Sequence, residues 1–476
     1  MNTILKILSG PLAFGLILLF SNDSLPDDAW SVIGVAAWML IWWVSEAVPI
    51  AVASLLPVLL FPMTGVMDIK AATAPYGSHY VFLFLGGFIL AIGLEKWNLH
   101  KRIALGIVNL TGDSANRIIL GFMLASAFLS MWISNTATTL MMLPIATSVI
   151  GLLVGKDSKG MRRFSLAMLL GVAYAANVGG IATIIGTPPN AAMAGIIEDN
   201  YGITIGFMEW MQIGLPFSLL MLGLVFVILV FVIYPNKIGK FQEAADLIDR
   251  ERASLGKWSR GQFMVIGAFV LTALLWITRS PLNEFLKTFS RIQLSDAGIA
   301  IGGSMLLFVL FPGGEKREPL LKWDEARKLP WGILLLFGGG LALAAGFKQS
   351  GLVEIIASAF DGLGATHLIL MVLVLTFVSL FLTELMSNLA LVNVFVPVVA
   401  AIAFGFGESP LLLAVPVTLA ASCAFMFPMS TPPNAIVFAS GHIKIAQMAR
   451  AGILLNLVAV VVTAVFCYFV LDWWLG

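Results

Sequence analysis

Two apolar stretches of this chain are each interrupted near their centre by a polar tripeptide, Ser134-Asn135-Thr136 in the first and Ser387-Asn388-Leu389 in the second. Their spacing holds well beyond them. At the same offset Gly86-Gly87 meets Gly339-Gly340, Gly93 meets Gly346, Leu99 meets Leu352, Ser130 meets Thr383 and Pro144 meets Pro397, with no gap. Farther on, Thr187-Pro188-Pro189-Asn190 returns as Thr431-Pro432-Pro433-Asn434. The chain is an internal duplication, and each half must fold around the same two breaks. In hydrocarbon an unpaired backbone amide or carbonyl costs several kcal/mol, so irregular chain at membrane depth survives where it is buried in protein or lines a cavity. Paired breaks at matching places in two halves point to a transporter's binding site.

That argument needs a membrane, and the composition supplies it. Hydrophobic residues make up 59% of the chain and charged residues only 11%, with a mean hydropathy of +0.98. Such a chain reads as an all-α polytopic membrane protein. A net charge of +1 gives no footprint for nucleic acid. Cys423 and Cys467 both fall in apolar runs and read as small buried hydrophobes rather than a disulfide or metal pair. The apolar run from Leu8 to Phe20 resembles a signal-peptide core, but no small-residue cleavage site follows, so it is read as a retained first helix.

Lys and Arg stay on the cytoplasmic side, and this orients the spans. Ser21 to Asp28 holds three Asp and no base and is placed outside; Lys96, Lys101 and Arg102, and then Lys156 to Arg163 with four bases, are placed inside. Between these two inside loops, the stretch 117–154 is too long for one simple helix and is broken at Ser134-Asn135, which predicts a re-entrant hairpin entering from the cytoplasm. In the second half the loop charges change sign. The counterpart of Lys156 to Arg163 is Gly405 to Pro410, with Glu408 and no base; the counterpart of Glu198 and Asp199 carries His442, Lys444 and Arg450. The loop before repeat one holds only Lys70, whereas the one before repeat two holds Lys316, Arg317, Lys322, Arg327 and Lys328. The repeats are therefore expected to be inverted, with a second hairpin at 365–404 entering from outside. This yields eleven transmembrane segments plus two re-entrant hairpins: N-terminal helices over 1–62, repeat one over 63–236, a charged cytoplasmic connector over 237–260 and repeat two over 261–476. The N-terminus is expected in the cytoplasm and the C-terminus outside. Short loops favour a bacterial inner membrane.

Half-helix N-termini at the breaks favour anions, and their free carbonyls favour hard cations. Hydroxyl, amide and carbonyl oxygens suit Na⁺, which gives two symmetric cation sites. The first is expected at Ser130, Ser134, Asn135 and the backbone near Gly186; the second at Thr383, the Met386 carbonyl, Asn388 and the backbone near Ser430. Ser130 and Ser134 are four apart, a spacing that shares one helical face, and Thr383 and Ser387 repeat it. No Lys, Arg or His falls in either turn or either Pro-Pro break. An anion there must rely on dipoles, hydroxyls and bound cations, so cations should bind first. The glycines at 86, 87, 339 and 340 read as close helix packing.

With these paired motifs the chain resembles, over nearly its whole length, the divalent-anion/sodium symporter family, the INDY-type carriers of dicarboxylates. The resemblance implies a homodimer in which each protomer has a scaffold domain and a transport domain moving as an elevator. It also implies a divalent anion, such as succinate, citrate or in some branches sulfate, contacting the two tips at Asn135, Thr136 and Asn388, with Pro188, Thr431 and Pro432 close by. This sequence departs from the doubled pattern at Leu389, where a Thr is expected, and so leaves the substrate less defined than the Na⁺ coupling.

Glu384, an acid beside Thr383, has Met131 as its counterpart and lies outside the symmetric scheme. It could pair structurally, tune a cation or carry a proton. A Na⁺-independent exchanger would be expected to place a base among the cation-site residues, and none is there. An intramembrane enzyme would need a catalytic constellation; there is no His-Glu-x-x-His pair, no aspartate pair and no convincing Ser/His arrangement.

Overall fold

A computed structural model describes residues 3–152, 159–288, 291–313, 318–360 and 368–475, and every regular element in them is helical. Lys156, Lys316, Arg317 and Ala365 lie outside the described residues. Eight of the described helices are long and apolar enough to cross a membrane, among them Asp27–Ser45, Lys159–Ile181, Phe207–Ile233 and Trp331–Gln349. Shorter apolar helices fill the rest, including Thr3–Leu19, which packs on Asp27–Ser45 with Gly10 facing Trp38 and Trp42.

The two predicted hairpins are present as helix pairs, Ala115–Ser130 with Asn135–Gly151 and Leu368–Thr383 with Asn388–Gly405. Their turns are built alike. The Ser134 hydroxyl accepts from the Ala137 amide at 3.2 Å, and the Ser387 hydroxyl accepts from the Ala390 amide at 3.2 Å. Each serine is an N-cap in extended conformation, the arrangement a short hydroxyl side chain favours at a helix start. This corrects one expectation: the helices stop at Ser130 and Thr383, and Ser134 and Ser387 open new ones, so neither pair shares a helical face.

The Pro-Pro motifs likewise open helices, Pro188–Tyr201 after Lys159–Ile181 and Pro432–Ala439 after Leu411–Ala421. Proline suits the first helical turn because its fixed φ is already helical and its missing amide has no partner there anyway. The unwound segments are tied back by their asparagines. Asn190 donates to the carbonyls of Gly180, Ile181 and Thr183, and Asn434 donates to those of Ala424 and Phe427.

Glycines set close approaches between helices. A Cβ on Gly86 would come within 2.6 Å of Ala300, and one on Gly339 or Gly340 would enter Ser54 or Asn393.

Contacts sort the loops into two ends. At one, Lys96 pairs with Glu325 at 2.6 Å, Lys101 pairs with Glu251 at 2.9 Å, and Ser114 bridges to Lys240. At the other, Tyr80 donates to Glu198 at 2.8 Å, Lys348 donates to the Asp199 carbonyl, and the Tyr201 and Phe404 rings lie 5.6 Å apart. The connector helix Gln242–Ser254 packs on Leu99–Leu110 with Ala244 and Ile248 buried.

Candidate substrate and cation site

Both hairpin turns and both Pro-Pro breaks converge on one cavity of about 300 Å³. From the turns it is lined by Ser134, Asn135, Thr136, Ser387, Asn388 and Leu389, and from the breaks by Gly186, Thr187, Pro188, Ser430, Thr431 and Pro432. All of the expected substrate contacts meet there, although they come from four segments spread over most of the chain. No charged side chain is among its lining residues. What the cavity offers instead is four helix N-termini. All four present the positive end of a helix dipole, and the two turns add free first amides, whereas Pro188-Pro189 and Pro432-Pro433 have none to give; the chemistry favours an anion.

On the first half's side, the Ser130 hydroxyl and the Asn135 side-chain oxygen are buried without a hydrogen-bond partner. A Cβ on Gly180 would lie 2.6 Å from that Asn135 oxygen, 2.9 Å from the Asn135 amide nitrogen and 3.1 Å from the Gly186 carbonyl oxygen, so the head of Asn135 and the Gly186 carbonyl approach one point that a side chain would fill. Leaving buried acceptors unsatisfied costs about 1–3 kcal/mol each, and neutral oxygens without donors are what a hard cation takes. Ser130 itself does not line the cavity; it sits behind the turn, fully buried.

On the second half's side, Thr383 Oγ1 lies 2.8 Å from Asn388 Oδ1 and 3.0 Å from the Ala421 carbonyl oxygen. One hydroxyl proton is shared between two acceptors, which leaves each of them lone-pair capacity to spare. That cluster also suits a cation. Met386 is buried nearby in the same turn, and the Ser430 hydroxyl is engaged by the Phe427 carbonyl at 2.6 Å and by Asn434 at 3.2 Å.

Two features escaped the sequence, and for a third, Glu384, the structure selects the structural pairing that was one of its readings. The Ala421 carbonyl enters the second cluster, and no side chain announces it. Asn177, one turn before the end of the apolar helix Lys159–Ile181, donates to Thr431 Oγ1 at 3.0 Å and lines the cavity; a lone amide in such a helix was its only signal. Glu384 accepts from the amides of Phe425, Met426 and Phe427 and from Asn456, which makes it the anchor of the second unwound segment. Cys423 and Cys467 are free and buried.

The sequence profile of the family described as sodium:sulfate symporter transmembrane region matches residues 4–475. The chain is 41% identical over 480 residues to the sodium-dependent dicarboxylate transporter SdcS of Staphylococcus saprophyticus, covering 99% of this chain and 92% of that protein. It is 39% identical over the same span to SdcS of Staphylococcus aureus strain USA300, again covering 99% and 92%. Among solved structures, the YdaH transporter of Alcanivorax borkumensis aligns with a TM-score of 0.56 at 15% identity, covering 86% of this chain and 88% of that one. MtrF of Neisseria gonorrhoeae aligns with a TM-score of 0.53 at 15% identity, covering 95% and 96%. These two likenesses bear on the fold alone.

Proposed function

Since the chain belongs to the family of the sodium:sulfate symporter transmembrane region, and so is a membrane transporter rather than an enzyme, we propose that it couples Na⁺ entry to uptake of a C4-dicarboxylate such as succinate. The observation that carries this reading is the cavity's charge: four helix N-termini and two groups of under-protonated oxygens converge on it with no charged lining residue. Such a site holds a divalent anion poorly by itself and well once cations occupy the oxygens. Its relatives' name, sodium-dependent dicarboxylate transporter, supports the same pairing of ion and substrate.

In this proposal Ser130, Ser134, Asn135 and the Gly186 carbonyl hold one Na⁺; Thr383, Asn388 and the backbone of Met386 and Ser430, joined by the Ala421 carbonyl, hold the other. The substrate carboxylates lie against Asn135, Thr136 and Asn388, with Leu389, Pro188, Thr431 and Pro432 as walls. The hairpins and broken helices form the transport domain, which moves as an elevator against a scaffold that includes 1–62, in a homodimer in the bacterial plasma membrane. The end carrying Lys96, Lys101 and the connector faces the cytoplasm, together with the N-terminus; the C-terminus lies outside. The grouping of the basic loops at one end supports that orientation.

Labelled succinate uptake into proteoliposomes tests the proposal. An inward Na⁺ gradient should drive accumulation and K⁺ should not. Uptake that needs internal succinate but no Na⁺ would make the protein an exchanger and return the oxygen clusters to packing roles.

A further inference from the structure

A second cavity, of about 380 Å³, opens at the end of the molecule that carries the connector. Lys159, Arg162, Arg163 and Arg450 line it, and no acidic side chain does. Among the described residues none of the four is in an ion pair; Arg163 donates to the Pro235 carbonyl at 3.1 Å. Four like charges around one hollow repel each other. Three of them come from the first described residues of Lys159–Ile181, where no acid sits in the first described turn. Arg450 comes from the last helix, far away in sequence. Tyr234 closes the floor, buried, with its hydroxyl donating to the Gln447 carbonyl at 2.8 Å.

The walls are apolar, Leu166 and Ile233. Just beyond them the same helices expose Phe231 (55%), Val232 (61%) and Ile453 (45%), side chains that in a membrane transporter face acyl chains. Solvated cytoplasmic bases alone would explain the charge, but not a hollow that joins bases from two distant segments and opens beside a lipid-facing strip. A soluble anion would use the bases and leave that strip idle. A ligand with a phosphate head and hydrocarbon tails uses both, and basic pockets between membrane helices favour such headgroups.

We propose that this cavity is a binding site for the phosphate headgroup of an anionic phospholipid, held by Arg162, Arg163, Arg450 and Lys159 with its acyl chains along Phe231 and Ile453. The site is independent of the substrate cavity and of the coupling ion.

The test uses the full-length protein, delipidated in mild detergent, with native mass spectrometry and thermal stability as readouts. Phosphatidylglycerol, phosphatidylcholine with the same chains, and inorganic phosphate are added in turn. The wild type should retain phosphatidylglycerol at least about ten-fold over phosphatidylcholine and be stabilised by it, with no effect of millimolar phosphate. Arg162→Gln with Arg450→Gln should reduce retention to the phosphatidylcholine level. Arg162→Lys with Arg450→Lys should keep most of it, as should Lys237→Gln with Lys257→Gln, which removes equal charge from the same end. Equal retention of the two lipids by the wild type overturns the proposal, and so does unchanged retention in the Arg-to-Gln pair. Stabilisation by inorganic phosphate equal to that by phosphatidylglycerol overturns it too, in favour of a soluble anion. The lipid comparison on the wild type stands even if a variant fails to fold.

Discussion

The Asn456 side-chain amide donates to Glu384 Oε1 at 2.7 Å, so the last helix is clamped to the tip of the second hairpin. The same carboxylate takes the amides of Phe425 and Met426 at 2.8 Å each and of Phe427 at 3.1 Å. Three consecutive unwound residues thus find their acceptor in one side chain. In repeat one the unwound amides of Ala182 and Gly186 find the carbonyls of Gly179 and Thr183, and the tie to the hairpin runs the other way, the Thr183 hydroxyl donating to the Met131 carbonyl at 2.5 Å. Glu384 is 1% exposed, and its geometry is that of a bracket.

Glu384→Gln replaces one acceptor oxygen by an NH₂ that faces backbone donors. It should destabilise the protein by about 1–3 kcal/mol, the cost of a buried donor left unsatisfied, with transport falling in step. Asn456→Ala removes one donor of four and should cost less. Thermal melts of both variants in detergent check the order; an unperturbed Glu384→Gln melt contradicts the bracket.

Ser130→Ala separates ligand from packing. Its hydroxyl is buried with no partner, so deleting it should leave stability in Na⁺-free buffer unchanged or slightly higher. The gain in melting temperature on adding Na⁺ should shrink, and the Na⁺ needed for half-maximal uptake should rise several-fold. A variant that loses stability without Na⁺ and keeps its Na⁺ response would make Ser130 a packing residue.

Leu389 occupies, in the second turn, the place of Thr136 in the first, and it is 5% exposed at the cavity wall. Leu389→Thr supplies a hydroxyl at the anion. If that group is satisfied by the substrate it contributes on the order of 1 kcal/mol, roughly five-fold in apparent affinity. Competition of unlabelled dicarboxylates against labelled succinate should show a changed ranking; an identical profile would remove Leu389 from the specificity argument.

Glu325 gives a pH signature at the surface. Burial pushes its carboxyl up, but the hydrogen bonds from Lys96 at 2.6 Å and from the Lys322 amide at 2.7 Å outweigh this and hold it below the usual carboxylate range. A group lowered on folding adds stability above its unfolded value and loses it as pH falls through the folded one. Both side chains are about a third exposed, so the pair is worth less than about 1 kcal/mol. The melting difference between wild type and Glu325→Gln should therefore be small at neutral pH and vanish on acidification; a gap that persists in acid contradicts the assignment.

The sequence was most legible where a motif occurs twice. Ser134-Asn135 and Ser387-Asn388, with the two Thr-Pro-Pro-Asn breaks, point to a binding site from sequence alone, because each motif combines an N-cap with a helix-starting residue. The face shared by Ser130 and Ser134 was misjudged because spacing by four presumes an unbroken helix, and the N-cap preference of Ser134 breaks it. The Ala421 carbonyl and the three amides on Glu384 were not legible at all: backbone groups have no side-chain signature, and Glu384 meets Phe425 across 41 residues. The bond from Asn177 to Thr431 crosses 254 residues, and only folding brings the two together.

That last bond links the halves. Asn177 stands on the helix that unwinds toward Gly186, while Thr431 caps the helix that opens beside Asn388. A cation that orders the first unwound segment also fixes a partner of the second, so the second cation binds to backbone already arrested and gives up less freedom on binding. In the proposed symport cycle the two ions should then load cooperatively. Uptake should rise with Na⁺ with a Hill coefficient above one, and Asn177→Ala should flatten that rise before it abolishes transport.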